Sequence, residues 1–243
     1  MPVPATDRVQ RSSSRPRWIH TAVYVTTSAL LLTGWWLALG GEGAPSPLAR
    51  ALGAPDTRVH VWFGWALLGA MLLPLVIWRR GLARFARETF RVDRGDLHWW
   101  RRWPSGTLTG RFAPHRGHFD PGQRVANVVL VAGLGLLVVT GIAMSILHGG
   151  HTFAIAARLH LVAAFVVTPV IAGHVLIGVG VLPGYRGVWR AVHRGGWVPI
   201  DTARRLWPAW TDRSIHDAKA GSRPTPSPTP GGGDQHRSCP PVG

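Results

Sequence analysis

The amino-acid sequence predicts an all-α integral membrane protein built as a bundle of four transmembrane helices. Four apolar runs, at about 18–40, 59–78, 125–147 and 153–181, are each near or above the length that crosses the hydrocarbon core of a bilayer. The segments between them are polar, rich in arginine, or rich in glycine and proline. Helices are expected because a spanning segment must satisfy its own backbone hydrogen bonds within the lipid.

Basic residues crowd one side of the predicted membrane. Of the 27 lysines and arginines, 4 precede the first span, 11 lie in the loop 79–124 and 9 follow the fourth span, whereas only 2 lie between the first and second spans. Cytoplasmic segments of membrane proteins carry such an excess. We therefore expect the N-terminus 1–17, the loop 79–124 and the basic segment 182–219 to be cytoplasmic. The Pro- and Gly-rich tail 220–243 is predicted to be disordered.

The composition excludes several kinds of site. A net charge of +16 is common among nucleic-acid-binding proteins. Here the basic residues lie on one side of the predicted membrane, which favours contact with anionic lipid, and we expect no nucleic-acid partner. The only cysteine is Cys239, which excludes an intrachain disulfide, a Cys-rich zinc site, an all-cysteine iron–sulfur cluster and a Cys-x-x-Cys-His haem attachment. Any redox cofactor must therefore be held by histidine. No nucleophile–base pair or phosphate loop predicts a catalytic site for a soluble substrate.

Four histidines lie in or at the ends of the apolar runs. His20 opens the first run, His60 opens the second, and His160 and His174 lie in the fourth. An imidazole in a membrane interior needs a polar partner. His160 and His174 differ by about 40° around a helix and by about 21 Å along it, so they face one direction at two depths.

The depths of these histidines match in pairs. With the N-terminus inside, His20 and His174 lie near the cytoplasmic face, whereas His60 and His160 lie near the external face. This predicts two bis-histidine sites, although each imidazole alone could equally bond to a neighbouring helix. Two axial histidines complete the ligand set of haem b, since the porphyrin supplies the other four nitrogens. Zinc usually takes four protein ligands and copper sites often add sulfur, so both fit less well.

Other patterns give weaker signals. Thr33-Gly34 recurs as Thr140-Gly141 in the third run, but two residues are too few to predict a repeat. Gly34 would admit either a flat ligand or a closely packed helix. Tryptophans beside arginines at 98–103 favour a segment on the membrane surface, and Pro183-Gly184 predicts the end of the fourth helix. Two histidine pairs lack further ligands nearby and predict no metal site: His115 with His118, and His148 with His151.

The combined motifs resemble the di-haem cytochrome b superfamily. They are Arg17-x-x-His20, His60 at the start of the second run, Phe119-Asp-Pro-Gly-Gln-Arg124 before the third, and His160-x13-His174. This superfamily includes the gamma subunit of respiratory formate dehydrogenase and the b-type cytochrome subunit of nickel–iron hydrogenases. The resemblance covers about residues 15–210.

The resemblance implies the ligands of two haems b and a quinone site. His20 and His174 would hold an inner haem, on the cytoplasmic side, and His60 and His160 an outer haem. A quinone would dock at Asp120, Gly122 and Gln123, where the family often has Asn-x-Gly-Gln-Lys. The aspartate in place of asparagine is a departure from that pattern. Arg158, near the external end of the fourth run, is a candidate for a haem propionate or for an interfacial anchor.

The implied function is electron transfer in the bacterial cytoplasmic membrane. The chain would anchor a respiratory oxidoreductase complex and carry electrons between the quinone pool and a partner redox subunit on the outer face. That partner would contain iron–sulfur, molybdenum or nickel–iron centres. Two alternatives stay open at this point: a stand-alone membrane haem reductase or sensor, and a haem-free membrane anchor or transporter.

Overall fold

The computed structural model describes residues 7–39 and 44–221 of the chain. The predicted tail 220–243 therefore lies outside the described residues from residue 222 onward. A 3₁₀ turn at Pro183–Tyr185 follows the last long helix. In chain order, the other elements are β1 (Arg8–Gln10), α1 (Ser14–Ala38), α2 (Pro47–Leu52), α3 (Asp56–Ile77), α4 (Arg79–Thr89), α5 (Asp96–Thr109), α6 (Pro121–Ile146), α7 (Gly150–Val179), α8 (Arg190–His193), β2 (Trp197–Pro199), α9 (Ile200–Leu206) and α10 (Pro208–Gly221).

Among the described residues, four helices are long and apolar enough to cross a membrane: α1, α3, α6 and α7. The predicted all-α bundle of four transmembrane helices is thereby confirmed. The outward faces of these helices are apolar, since Leu32, Val76 and Val139 are 70%, 77% and 64% exposed. A surface of this kind is compatible with lipid rather than with water.

Each transmembrane helix begins a few residues before its predicted start, at Ser14, Asp56, Pro121 and Gly150. The extra turns are polar or contain proline, so hydropathy alone does not include them. At α6, the Asp120 carboxylate accepts a hydrogen bond from the Gln123 backbone N–H at 2.8 Å, and Pro121 occupies the first turn. The apolar runs therefore mark the lipid-spanning part, and the capped ends extend beyond it.

The helix α7 ends before the predicted stop at Pro183-Gly184. Its last residue is Val179, and Gly180 follows with a φ of +80°. This left-handed conformation favours glycine, and the Gly180 N–H donates to the Ile177 carbonyl at 3.0 Å. Gly180 thus terminates the helix before the chain reaches the proline.

The four long helices form two close pairs, α1 with α3 and α6 with α7. Helices that follow each other through short connections usually pack as neighbours. At the centre of the bundle, Leu67, Leu134 and Val167 form a buried cluster from three different helices. A Cβ added at Gly133 would lie only 2.2 Å from Val167 Cγ2. The absence of a side chain at Gly133 is therefore what lets α6 approach α7 closely.

The two ends of the described chain meet at one end of the bundle. Strands β1 and β2 pair antiparallel, with Val9 opposite Val198. This pairing joins the N-terminal segment to the segment that follows α7. An even number of membrane crossings places these segments on the same side, as the charge distribution predicts.

The loop 79–124 contains the helices α4 and α5. Trp99 in α5 departs from the expected membrane-surface position, because it is 1% exposed and stacks on Phe112 with ring centroids 6.3 Å apart. Its neighbour Trp100 is 39% exposed. The Trp–Arg pattern therefore combines one tryptophan that anchors the loop to the protein with another that faces outward.

Gly133→Ala should destabilise the detergent-solubilised protein by about 1–3 kcal/mol, the usual cost of overpacking. The new methyl group meets Val167, whose branched side chain is restricted in a helix. Gly135→Ala is the matched control, because no neighbouring atom of the described residues lies within 4 Å of a Cβ there. Thermal unfolding followed by circular dichroism measures the difference. Equal melting temperatures for the two variants would contradict this packing.

Candidate functional site

The structure brings the four membrane histidines together in two pairs. The ring centroids of His20 and His174 are 6.0 Å apart, and those of His60 and His160 are 6.2 Å apart. The helix α7 contributes one histidine to each pair, while α1 and α3 contribute the others. Val167, which is fully buried, lies midway between His160 and His174 on α7. An apolar layer thus separates the two pairs.

The spacing within each pair fits two imidazoles on opposite sides of one metal ion. Metal–imidazole bonds are about 2 Å long and the ring centre lies about 1 Å beyond the nitrogen, so such rings have centroids about 6 Å apart. The observed distances of 6.0 and 6.2 Å agree with this value. Within each pair the ring planes are inclined by 44° and 71°, and neither ring donates to its partner. The two pairs are therefore suited to hold a haem iron.

Thr33 determines which nitrogen of the His60 ring carries the proton. Its hydroxyl oxygen lies 2.8 Å from the Ala29 carbonyl oxygen and 2.8 Å from His60 Nδ1. The hydroxyl has a single proton and the carbonyl can only accept it, so Thr33 must accept a hydrogen bond from His60 Nδ1–H. His60 Nε2 then carries the free lone pair that an axial ligand requires.

Thr140 makes the same contact with His160. Its hydroxyl oxygen lies 2.7 Å from the Leu136 carbonyl oxygen and 2.9 Å from His160 Nδ1. By the same argument, Thr140 accepts a hydrogen bond from Nδ1–H and leaves His160 Nε2 free. Both residues of the outer pair are thus held in the tautomer that binds a metal through Nε2.

A glycine follows each of these threonines and lies beside the ring, and at Gly34 the missing side chain makes room for it. A Cβ at Gly34 would lie 3.0 Å from His60 Cε1, and one at Gly141 would lie 3.6 Å from His160 Cε1. Gly34 therefore admits the imidazole of His60 from the neighbouring helix α3, which is the close helix packing that the sequence offered as one of two readings. The Thr-Gly recurrence was the one sequence signal for these residues.

The inner pair has a different environment. His20 Nδ1 is buried and makes no hydrogen bond within the described residues. The His20 ring packs against Tyr24 at 5.7 Å between centroids, and Tyr24 packs against His193 of α8 at 5.9 Å. A buried ring nitrogen without a partner is costly unless a ligand or water satisfies it. In the inner pair, therefore, a ring nitrogen of His20 still lacks a hydrogen-bond partner among the described residues.

The residues of the predicted quinone site lie where α6 begins. Asp120 is buried, and its carboxylate caps α6 through the Gln123 N–H. Burial raises the pKa of Asp120, which its hydrogen bond to Gln123 opposes. A Cβ at Gly122 would lie 2.9 Å from the Trp99 ring. The Gln123 side chain makes no hydrogen bond within the part of the chain that the structure describes, so its amide is available to a ligand.

Arg124 braces the same loop. Its guanidinium is 4% exposed and pairs with Asp93 at 3.2 Å and with Asp96 at 3.0 Å. It also donates to the carbonyl oxygens of Phe119 and Arg91, at 3.1 and 2.6 Å. A buried arginine with this many acceptors stabilises the conformation of the loop, and its guanidinium is already engaged and does not serve as a ligand-binding group.

Arg158 is exposed and lies far around α7 from the outer pair. At 100° per residue, Arg158 is separated from His160 by about 160° around the helix. Arg158 therefore lies on the face of α7 that points away from the histidine pairs. This position favours the interfacial anchor, and the contact with a haem propionate stays a prediction.

His118 belongs to a buried cluster on Arg11, away from the four membrane histidines. Arg11 donates to His118 Nδ1 and to the His118 carbonyl oxygen, and its guanidinium carbon lies 4.2 Å from the Trp207 ring centroid and 4.5 Å from that of Trp210. Burial, together with the charge of Arg11, lowers the pKa of His118 to about 2. His115 also has a structural role, since its Nε2 lies 2.9 Å from the Leu206 carbonyl oxygen.

Four membrane-spanning helices around two histidine pairs define a membrane cytochrome of the b type. The family model for prokaryotic cytochrome b561 matches residues 11–195, about three quarters of the chain. The chain belongs to this family, which confirms the resemblance to the cytochrome b superfamily. Comparison with curated proteins gives no match. The protein is thus a prokaryotic membrane cytochrome whose family binds haem b and takes part in electron transfer.

The buried state of His118 should make stability depend on pH. Its pKa is about 2 in the folded chain and about 6.5 in the unfolded chain, so the unfolded state binds more protons between these values. Stability should then fall as the pH drops below about 6.5, by at most about 1.4 kcal/mol per unit. His118→Asn keeps an acceptor at the Nδ1 position and cannot titrate, so its melting temperature should fall less between about pH 7 and about pH 5.5. Identical slopes for variant and wild type would contradict the buried neutral histidine.

Proposed function

We propose that the chain is the membrane-anchoring di-haem cytochrome b subunit of a respiratory oxidoreductase complex. In this role it carries electrons across the membrane between a partner redox subunit and the quinone pool. The observation that supports this most strongly is the spacing of the two histidine pairs, 6.0 and 6.2 Å between ring centroids, at two depths of one bundle. Family membership supports haem b as the bound group.

The histidines would hold one haem b at each pair. His20 and His174 would bind the inner haem, and His60 and His160 the outer haem, each through the nitrogen that faces its partner ring. Haem b supplies reversible one-electron chemistry when it is bound. The chain contributes the axial ligands, the hydrogen bonds that orient the outer pair, and the apolar layer around Val167 that keeps water from the path between the pairs.

The partner subunit would dock on the external ends of the helices. The connection between α6 and α7, at residues 147–149, is too short to form a domain. The basic segments lie at the opposite end, where β1 pairs with β2. The outer pair, on the external halves of α3 and α7, would thus be the closer pair to a partner that contains iron–sulfur, molybdenum or nickel–iron centres.

The quinone would dock at the start of α6, which lies on the same side of the membrane as the inner histidine pair. Gly122 and Gln123 match the family pattern there, Asp120 replaces its asparagine, and the Gln123 side-chain amide has no hydrogen-bond partner in the described residues. Asp120 and Gly122 would act by shaping the helix start against Trp99. Gln123 is accordingly the residue we assign to the quinone oxygen.

Gln123→Ala should slow the reduction of the bound haem by a quinol about tenfold, the effect of one lost hydrogen bond of about 1.4 kcal/mol. Stopped-flow absorbance of the haem bands measures this rate. Reduction by dithionite, which needs no quinone site, serves as the control and should not change. An unaltered quinol rate in a variant with full haem content would remove Gln123 from the site.

Two other functions are separated from this one by experiment. A stand-alone haem reductase or sensor would share both histidine pairs but would need no partner enzyme. Genes for a molybdenum or nickel–iron enzyme beside this one favour the respiratory subunit, and their absence favours the stand-alone protein. A haem-free anchor or transporter is opposed by the family. The hydrogen bonds of His60 to Thr33 and of His160 to Thr140 join neighbouring helices and do not discriminate, so the haem content of the purified chain decides.

The haem content of the purified chain tests the proposal. A pyridine haemochrome assay should give two haems b per chain, because each histidine pair fills the two axial positions of one iron. A content of one or none would contradict the di-haem proposal.

Substitution of the ligands on α7 should remove one haem at a time. His160→Ala should abolish chiefly the outer redox transition and His174→Ala chiefly the inner one, as followed by a potentiometric titration of the absorbance bands. His151→Ala at the exposed start of α7 is the control and should keep both transitions. If His160→Ala or His174→Ala kept both transitions, the assigned pairing would be wrong.

A further inference from the structure

We propose that Thr33 and Thr140 are positioning residues that lower the reduction potential of the outer haem through their hydrogen bonds to its two axial histidines. This inference rests on the proposed function, since it concerns haem held by His60 and His160. It adds a role for two residues that carry no ligand atom themselves. Both lie on the helices that face the ligands, Thr33 on α1 and Thr140 on α6.

The direction of both hydrogen bonds is set by the backbone. Each hydroxyl lies within 2.8 Å of a carbonyl oxygen four residues earlier in its own helix. This carbonyl takes the single hydroxyl proton, so the remaining lone pairs of the threonine face the imidazole. Thr33 is fully buried and Thr140 is 5% exposed, so water does not compete for these contacts. The two imidazoles of the outer pair therefore both donate from Nδ1.

The arrangement is repeated in the two halves of the bundle. In each half, a Thr-Gly pair on the outward-running helix contacts a histidine on the following helix: Thr33-Gly34 with His60, and Thr140-Gly141 with His160. The inner pair has no counterpart, because His20 Nδ1 is buried without a partner in the described residues. The hydrogen bonds are thus a property of the outer pair rather than a general feature of histidines in this fold.

The chemical consequence follows from the charge on iron. An acceptor at Nδ1–H makes the imidazole a stronger donor through Nε2. A stronger axial donor stabilises the oxidised iron more than the reduced iron, and the reduction potential then falls. The inner haem lacks this contribution. The two threonines would thereby make the potentials of the two haems unequal.

The test replaces each hydroxyl by a methyl group of similar size. Thr33→Val, Thr140→Val and the double variant are compared with wild type by potentiometric titration and by electron paramagnetic resonance of the oxidised haems. We expect the outer midpoint potential to move to a more positive value in each variant, furthest in the double variant, with the inner potential unchanged. The outer low-spin signal should shift as well, because its ligand rings lose their anchors.

Three further variants separate the effect of the hydrogen bond from that of packing. Thr33→Ser and Thr140→Ser keep the hydroxyl and should keep the wild-type outer potential. Thr27→Val removes a buried hydroxyl on the same helix that makes no hydrogen bond within the described residues, and should move neither potential. Loss of the outer haem from the valine variants alone, with serine variants intact, would also support the hydroxyl's role.

Three results would overturn the inference. They are an unmoved outer potential in valine variants that retain two haems, a shift of the same size in Thr27→Val, and serine variants that behave like valine variants. A wild-type chain with fewer than two haems would instead refute the proposed function, so the two failures are distinguishable by the haem content measured first.

Discussion

The arrangement of this protein depends on the cost of placing imidazoles inside a membrane. A histidine surrounded by lipid and apolar side chains cannot leave its ring nitrogens unsatisfied without a penalty of about 1–3 kcal/mol for each group. The four histidines of the membrane helices lie in two pairs, 6.0 and 6.2 Å between ring centroids. Each histidine pair joins α7 to a helix of the other close pair, α1 or α3, and the central cluster around Val167 keeps the two histidine pairs apart. Iron between the rings would satisfy the facing nitrogens, and the threonines satisfy the opposite nitrogens of the outer pair.

The two pairs are built differently, and this difference bears on function. The outer pair is formed by a repeated hairpin in which threonine, glycine and histidine have equivalent places in both halves. The inner pair joins α1 to α7 and has Tyr24 and His193 as its neighbours instead. It also lies at the end of the bundle where the N-terminal segment, the loop 79–124 and the segment after α7 come together. The outer pair thus has hydrogen-bonded rings in equivalent surroundings, whereas His20 of the inner pair has a ring nitrogen without a partner in the described residues.

Much of the fold and of the site could be predicted from the sequence because both rest on simple periodicities. Apolar run length predicted the four helices, and 100° per residue placed His160 and His174 on one face. The helix ends were missed by a few residues, since the cap Asp120 lies outside its apolar run and Gly180 ends α7 inside one. Thr33 and Thr140 were missed because their role depends on which helix lies opposite, which a two-residue echo does not reveal. The contact of Arg11 with His118 joins residues 107 positions apart, and no local pattern encodes it.

The most direct test of this account is an experimental map of the purified, membrane-extracted protein by cryo-electron microscopy. We expect two flat densities within the bundle, one between His20 and His174 and the other between His60 and His160, each contacted on both faces by a ring nitrogen. A map in which the histidine rings of each pair contact each other directly, with no density between them, would contradict it.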